Sequence, residues 1–392
     1  MTELLLLSAE PGSLKVWAYV AFIGLVVLFL ALDLGVFHRE AHEVSMKEAT
    51  IWSVIWLSIG LSFSAVVHKA YDEKWLGLGL ETPRYNVHEL AGQVPEQPLI
   101  ITGEVGGAEA SRQYLVGYVV EKSLAMDNIF VIALIFAFFA VPAKYQHRVL
   151  FWGIIGALLM RGGMIGLGSG LIMEYQWILI IFGAFLILTA LKMALIKGND
   201  DPSQNFAVRL CKRFLPTVDF YDGQKFFTRR TVKPTYSWDP VAGREVMDPP
   251  APSTLSSFWS ITPLFLALIL VEITDLVFAV DSIPAIFAIT PDPFIVFTSN
   301  IFAILGLRSL YFCLAALIPK FRFLKPALIL ILAFVGVKLL LLSVPPYLDV
   351  IGLAKGSSIK LDTTLSLAVV VGALGGAVLL SLLFPAKEKP KA

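Results

Sequence analysis

The chain has 392 residues, of which 57% are hydrophobic and only 16% are charged, whereas soluble domains usually carry about 25% charged residues. Its formal net charge of +1 excludes the strongly basic surface expected of a nucleic-acid-binding protein. The composition also excludes an ordinary soluble enzyme and a disordered chain, and it predicts an all-α polytopic membrane protein embedded in the lipid bilayer.

Nine apolar stretches of roughly 20 residues are long enough to cross the hydrocarbon layer. Each should be helical, because backbone groups in lipid must be hydrogen-bonded within their own segment. The nine stretches are residues 16–37, 50–68, 113–140, 149–171, 176–196, 259–289, 294–318, 325–343 and 364–384. Together they predict a single membrane transport domain over residues 16–384.

Most loops between these spans alternate in basic charge, whereas loop 344–363, with Lys355 and Lys360, fits the alternation less well. Lysine and arginine occur in loops 38–49, 141–148 and 319–325, whereas the short loops 172–175 and 290–293 contain no base. Since basic loops stay on the cytoplasmic side, this alternation places the N-terminus outside and the C-terminus in the cytoplasm.

Two loops are long enough to form structures of their own. Residues 69–110 are an acidic insert, predicted to be external, whose Gly and Pro residues indicate either an irregular excursion or short strands. Residues 197–258 are predicted to be a cytoplasmic loop in which residues 225–238 could form a hairpin. Neither loop carries a recognisable catalytic motif, and we do not expect an enzyme.

The third and sixth spans share a sequence pattern. Residues 121–129 read EKSLAMDNI and residues 275–283 read DLVFAVDSI, so that acid matches acid at two positions. Further matches follow in the next two spans of each copy, at Arg161 with Arg308 and at Lys192 with Lys338. The pattern predicts two three-helix repeats, 113–196 and 259–343. Because the third and sixth spans cross in opposite directions, the repeats are inverted, which is an architecture of transporters.

Acids inside a membrane span cost roughly 2.5–3.5 kcal/mol each and commonly mark an ion pathway. We predict that the following oxygen donors form a metal site: Glu121, Asp127, Asn128, Glu272, Asp275 and Asp281, with Asp33, Ser282 and Asn300 as secondary ligands. The structural alternative is ion pairing of the acids with Arg161, Lys192, Arg308 and Lys338. Since no Cys or His is among the donors, they suit a hard divalent ion, and the choice among Mn²⁺, Mg²⁺ and Ca²⁺ stays open.

Helix geometry limits how these acids can meet. Glu272 and Asp275 are three residues apart and share one helix face. Glu121 and Asp127 are six residues apart, about 240° around a continuous helix, and therefore diverge. Since Pro284 also removes a backbone hydrogen bond, we predict that the spans 113–140 and 259–289 are both discontinuous helices.

Three segments resemble the TerC family of integral membrane proteins, in its Alx-like branch. They are residues 262–312, which begin TPLFLALILVEITDLVFAVDS, residues 121–136, EKSLAMDNIFVIALIF, and residues 31–42, ALDLGVFHREAH. The resemblance implies a multi-pass protein of the bacterial inner membrane, linked to manganese efflux and to tellurium-compound resistance. It also implies that the intramembrane acids named above handle the ion, and it supplies manganese as the metal.

The leading hypothesis is therefore an exporter of Mn²⁺ that holds no permanent cofactor and exchanges the metal for H⁺, because carboxylates in a low-dielectric surrounding can trade a proton for a cation. One alternative is an intramembrane aspartyl protease that uses Asp127 and Asp281 as its dyad. Another is a membrane scaffold in tellurium-compound resistance. The sequence leaves the oligomeric state and the selectivity among divalent ions open.

Overall fold

The structure is a computed structural model that describes residues 11–35, 45–85, 100–175, 177–195, 216–239, 244–249, 255–314, 323–344 and 363–384. The helices are α1 (Pro11–Gly35), α2 (Met46–Asp72), α3 (Gly107–Phe138), α4 (Ala143–Glu174), α5 (Ile178–Leu195), α6 (Pro263–Phe287), α7 (Pro293–Ile304), α8 (Leu307–Leu314), α9 (Leu324–Ser343) and α10 (Thr363–Leu383). The strands are β1 (Thr82–Tyr85), β2 (Ile100–Gly103), β3 (Phe227–Arg230), β4 (Tyr236–Asp239), β5 (Arg244–Met247) and β6 (Leu255–Ile261).

The predicted spans all coincide with helices. Within the described residues, eight helical segments are long and apolar enough to cross a membrane, which confirms a mostly helical, multi-pass protein. Helix α3, at the third predicted span, is not among the eight, because Glu121, Lys122 and Asp127 interrupt its apolar sequence. With 32 residues it is nevertheless about 48 Å long, which exceeds the hydrocarbon thickness.

Local sequence signals fix where several helices begin. Ser45 precedes α2, and its hydroxyl accepts a hydrogen bond of 3.3 Å from the backbone N–H of Glu48. Asp292 precedes α7, and its carboxylate accepts one of 2.9 Å from the N–H of Phe294. Such caps satisfy amide groups that have no partner inside the helix. Helices α6 and α7 both start with proline, which lacks the N–H that would otherwise be unpaired there.

The predicted discontinuities are wrong for both spans. Helix α3 runs unbroken from Gly107 to Phe138, and Pro284 lies within α6 only one turn before its end, so the hydrogen bond that proline removes belongs to the last turn. The interruption is found instead in the span predicted at 294–318. There α7 stops and α8 starts, separated by Gly306, whose φ of +81° lies in the left-handed region that glycine tolerates.

The two long loops pack at opposite ends of α6. At its C-terminal end, the Tyr85 hydroxyl of β1 donates to the carbonyl of Phe287. At its N-terminal end, the Thr262 hydroxyl donates to the carbonyl of Lys225 over 2.8 Å. Near that end the Tyr221 hydroxyl donates to the Phe139 carbonyl over 2.6 Å, and burial raises the pKa of Tyr221 to about 12, so it stays a donor at neutral pH.

Short antiparallel strands organise the described parts of these loops. In the first loop β1 pairs with β2, which is one of the two arrangements that its composition allowed. The hairpin predicted over residues 225–238 is wrong, because β3 and β4 both lie there and do not pair. Instead β3 pairs with β6, whereas β4 pairs with β5.

Helix α7 lies at the centre of the bundle. Its residues from Phe294 to Ile304 are all buried, and it packs against α3 and α4. Around it, α3 contacts α6, α4 contacts both α6 and α7, and α5 contacts α9. The α5–α9 crossing is close because two glycines meet there: a Cβ at Gly336 would lie 3.1 Å from the carbonyl oxygen of Gly183.

Substituting Gly336 with valine should therefore destabilise the bundle. The added side chain pushes α5 and α9 apart, at a cost of about 1–3 kcal/mol. The measurement is the unfolding midpoint of the purified protein in lipid–detergent micelles. The matched control is Gly372→Val on α10, where no atom lies within 4 Å of an added Cβ. Equal midpoints for the two variants would contradict the close crossing.

Candidate functional site

A single buried arginine joins acids from two helices in the middle of the bundle. Arg161 on α4 is 2% exposed, and its guanidinium donates to Glu121 on α3 and to Asp275 on α6. The Asp275 contact is bidentate, with Nη2 at 2.9 Å from Oδ1 and Nε at 3.1 Å from Oδ2. The two acids are 1% and 5% exposed. Pairing with the guanidinium offsets part of the cost of burying these carboxylates away from water.

Neutral side chains complete this cluster. Asn128 on α3 donates from Nδ2 to Asp275 Oδ1 over 2.7 Å, and Asn300 on α7 accepts from Arg161 Nη1 over 2.8 Å. Ser282 on α6 has its hydroxyl 3.5 Å from the same Arg161 nitrogen. We call Glu121, Asn128, Arg161, Asp275, Ser282 and Asn300 the Arg161 network. The sequence predicted every member, with Arg161 as a charge partner and the others as oxygen donors.

Glu272 lies beside this network and outside its hydrogen bonds. It is one turn before Asp275 on α6, and its carboxylate packs directly against Gly156 of α4. Both acids therefore face α4, which confirms that they share one helix face. Glycine at position 156 is needed because a Cβ there would overlap the Glu272 carboxylate.

Several polar atoms of this region are buried without a hydrogen-bond partner. Three are oxygens, namely Glu121 Oε2, Asn128 Oδ1 and Glu272 Oε2, and a fourth is the amide nitrogen of Asn300. Unsatisfied buried oxygens are costly, and a bound cation would satisfy them. Within the described side chains, however, no three His, Cys, Asp or Glu residues cluster closely enough to hold a metal ion.

The other predicted charge partners lie elsewhere. Arg308 on α8 is buried, with Nη1 at 2.8 Å from Nε2 of His147. Lys338 on α9 is also buried and donates to the Ser366 hydroxyl of α10 over 2.8 Å. Lys192 is exposed on α5. Among the side chains that the structure describes, ion pairing is thus confirmed for Glu121 and Asp275, and both pair with Arg161.

Three predicted acids cannot be placed in the site. Asp33, Asp127 and Asp281 belong to α1, α3 and α6, but their side chains lie outside the part of the chain that the structure describes. Their roles as ligands therefore stay predictions. The same holds for the protease alternative, which needs the carboxylates of Asp127 and Asp281 to meet.

One charged residue near the network was missed from the sequence. Lys122 follows Glu121 on α3, and its ammonium donates to the backbone carbonyls of Ala303 and Leu305 at the α7–α8 break. A lysine inside a membrane span is by itself an indication of a functional site. The predicted repeat does not reveal it, because Leu276 occupies the matching position in the second segment.

Removing the guanidinium should strongly destabilise the protein. Arg161→Met leaves Glu121 and Asp275 buried without compensation, at a cost of about 3–5 kcal/mol. The triple variant Arg161→Met, Glu121→Gln, Asp275→Asn carries no charge at these positions and should recover most of that loss. Denaturant unfolding of the purified variants measures both effects. An Arg161→Met variant as stable as the wild type would refute the pairing of Arg161 with the two acids.

Comparisons with known proteins agree with this architecture. Residues 107–389 match the model of the Integral membrane protein TerC family. A membrane protein of Myxococcus xanthus is 40% identical over 95% of this chain and 93% of its own length. The Escherichia coli (strain K12) protein named "Putative membrane-bound redox modulator Alx" is 39% identical over 84% of this chain and 87% of its own. No solved structure matches the chain. The chain is thus a member of the TerC family of integral membrane proteins.

Proposed function

We propose that this protein is a secondary transporter that exports Mn²⁺ in exchange for protons, through a site of intramembrane carboxylates. The observation that carries the proposal is the set of three buried oxygens without partners, on Glu121, Asn128 and Glu272, beside two further carboxylate oxygens of Asp275. Such oxygens are the ligands that hard divalent cations prefer. The choice of manganese rests on the family resemblance.

Arg161 occupies the carboxylates that would bind the metal. The guanidinium binds both Glu121 and Asp275. Within the described side chains the acids do not cluster closely enough to hold a metal ion, and a dication beside the guanidinium would be repelled by it, so binding requires Arg161 to release at least one carboxylate. We therefore propose that Arg161 and the metal compete for the same carboxylates. Competition of this kind keeps the buried charge nearly balanced in both arrangements, which limits the energetic barrier to alternating access.

Helix contacts support the predicted inverted repeat. Corresponding helices of the two copies, residues 113–196 and 259–343, pack on one another: α3 on α6, α4 on α7, and α5 on α9. In addition, the matched acids Glu121 and Asp275 bind one guanidinium. A pseudo-twofold arrangement would produce both features, with the ion site at the junction of the copies.

Loop positions are compatible with the proposed topology in the bacterial inner membrane. The first long loop contacts the C-terminal end of α6 and the second contacts its N-terminal end, so they belong to opposite faces. On the positive-inside rule, the acidic first loop is external, the second loop is cytoplasmic, the N-terminus is outside and the C-terminus is cytoplasmic.

The name of the Alx relatives, membrane-bound redox modulators, suggests redox modulation as a second candidate function. The sequence contains two cysteines, Cys211 and Cys313, and in the described part Cys313 lies with its sulfur 3.7 Å from the Thr50 hydroxyl. A thiol mechanism would depend on these residues. The carboxylate mechanism predicts instead that a Cys211→Ser, Cys313→Ser variant transports as well as the wild type.

Glu272 offers a sharp test of metal transport because it lies outside the Arg161 network. In liposomes containing the purified protein, Glu272→Gln should reduce the Mn²⁺ transport rate at least roughly tenfold, since it removes a ligand charge. Its unfolding midpoint should stay close to that of the wild type. Glu174→Gln, at the exposed end of α4, is the matched control and should transport normally. Normal transport by Glu272→Gln would exclude Glu272 from the site.

Proton exchange gives a directional prediction. Liposomes with an acidic lumen should accumulate Mn²⁺ from a neutral medium, because protons leaving the lumen drive the metal in. A protonophore, with the membrane potential clamped, should abolish the accumulation. Uptake that is unaffected by the pH gradient would show that protons are not the coupling ion. A second series with sodium gradients would then test whether Na⁺ is the coupling ion.

A further inference from the structure

Lys122 lies in an unusual environment for a charged side chain. Its ammonium reaches from α3 to α7, where it donates to the carbonyl oxygens of Ala303 at 3.0 Å and Leu305 at 3.4 Å. Within the described residues, these two backbone groups are its hydrogen-bond partners, and it forms no ion pair with a carboxylate. A partly buried lysine whose hydrogen bonds go to carbonyls is costly unless the surroundings are strongly electronegative.

The end of α7 supplies such surroundings. The last carbonyls of a helix have no intrahelical partner and carry the negative end of the helix dipole. Gly306 turns the chain sharply there, with φ of +81°, so that the carbonyls of Ala303 and Leu305 both lie toward Lys122. Unwound carbonyls at a helix break are the groups that coordinate small cations inside membrane transporters.

The two repeats differ at this point in two related ways. The matching position to Lys122 in the second copy is Leu276, which is 38% exposed and carries no charge. The matching segment to the α7–α8 break in the first copy is the interior of α4, which is continuous from Ala143 to Glu174. The lysine is therefore found in the first copy only, and the helix break that it contacts is found in the second copy only.

We propose that α7 and α8 form a carbonyl cation site at their break, and that the Lys122 ammonium is its permanent, tethered occupant. Ala303 is three residues from Asn300, so the same turn of α7 that binds the ammonium also presents Asn300 to Arg161. Lys122 is thus a positioning residue: it holds the end of α7 and thereby the Asn300 contact of the Arg161 network.

Chemical rescue tests the tethered cation. Lys122→Ala removes the three methylenes and the ammonium, which together correspond to propylammonium. In the purified full-length protein, this variant should lower the thermal unfolding midpoint by roughly 5 °C or more. Propylammonium chloride should restore about half of the loss or more, whereas tetramethylammonium chloride at equal concentration, which cannot donate hydrogen bonds, should restore none. Lys69→Ala, at an exposed lysine of α2, should be stable and insensitive to both salts.

Two results would overturn the proposal. One is an equal effect of the two salts on the Lys122→Ala variant, and the other is an unfolding midpoint of Lys122→Ala equal to that of the wild type. If Lys122→Ala does not fold, Lys122→Arg should keep a near wild-type midpoint and Lys122→Met should not, because only arginine retains a charged donor. A stable methionine variant would contradict the cation site.

A transport measurement tests the positioning role of Lys122. This test rests on the proposed function, because it requires the protein to transport Mn²⁺. In liposomes, Lys122→Ala should raise the KM for Mn²⁺, and propylammonium should return it toward the wild-type value. If the wild type transports no Mn²⁺, the proposed function fails while the unfolding experiment still decides on the cation site. If the wild type transports and rescue restores stability without changing KM, the positioning role is refuted.

Discussion

The structure depends on one buried interaction, the binding of Glu121 and Asp275 by the Arg161 guanidinium. Three charges in an apolar bundle would be prohibitively costly apart, so α3, α4 and α6 must approach closely enough for them to meet. Small residues permit that approach: at Gly156 the Glu272 carboxylate packs directly on the backbone of α4. The positions of the helices and the location of the polar site are therefore consequences of the same constraint.

Helix α7 couples this site to the rest of the bundle. Its N-terminus is fixed by Asp292, whose carboxylate caps the helix and accepts a 2.5 Å hydrogen bond from the Tyr71 hydroxyl. Its middle presents Asn300 to Arg161, and its C-terminus ends at Gly306, where Lys122 binds the free carbonyls. Because α7 is held at these three points, a displacement of Arg161 on metal binding could shift the helix as a unit, as the proposed transport mechanism requires.

Much of this arrangement follows from the sequence because hydrophobicity and the cost of buried charge are local properties. They predicted the spans, the intramembrane oxygen donors and the shared face of Glu272 and Asp275. They did not predict which span is broken, since Pro284 lies in the last turn of α6. Gly306 packs so closely on Trp56 that an added Cβ would clash with it, and this tertiary contact is not visible in the local sequence. Nor could spacing decide that Arg161 pairs with both acids while Arg308 lies beside His147, because the two arginines match in the repeat.

The central claim is that Mn²⁺ and Arg161 use the same carboxylates. Its most direct test is a structure of the purified protein with Mn²⁺, in which anomalous scattering at the manganese edge locates the metal. We expect a metal peak among the oxygens of Glu121, Asn128, Glu272 and Asp275, with the Arg161 guanidinium withdrawn from at least one carboxylate. Manganese bound elsewhere, or bound there while Arg161 keeps both of its pairs, would contradict it.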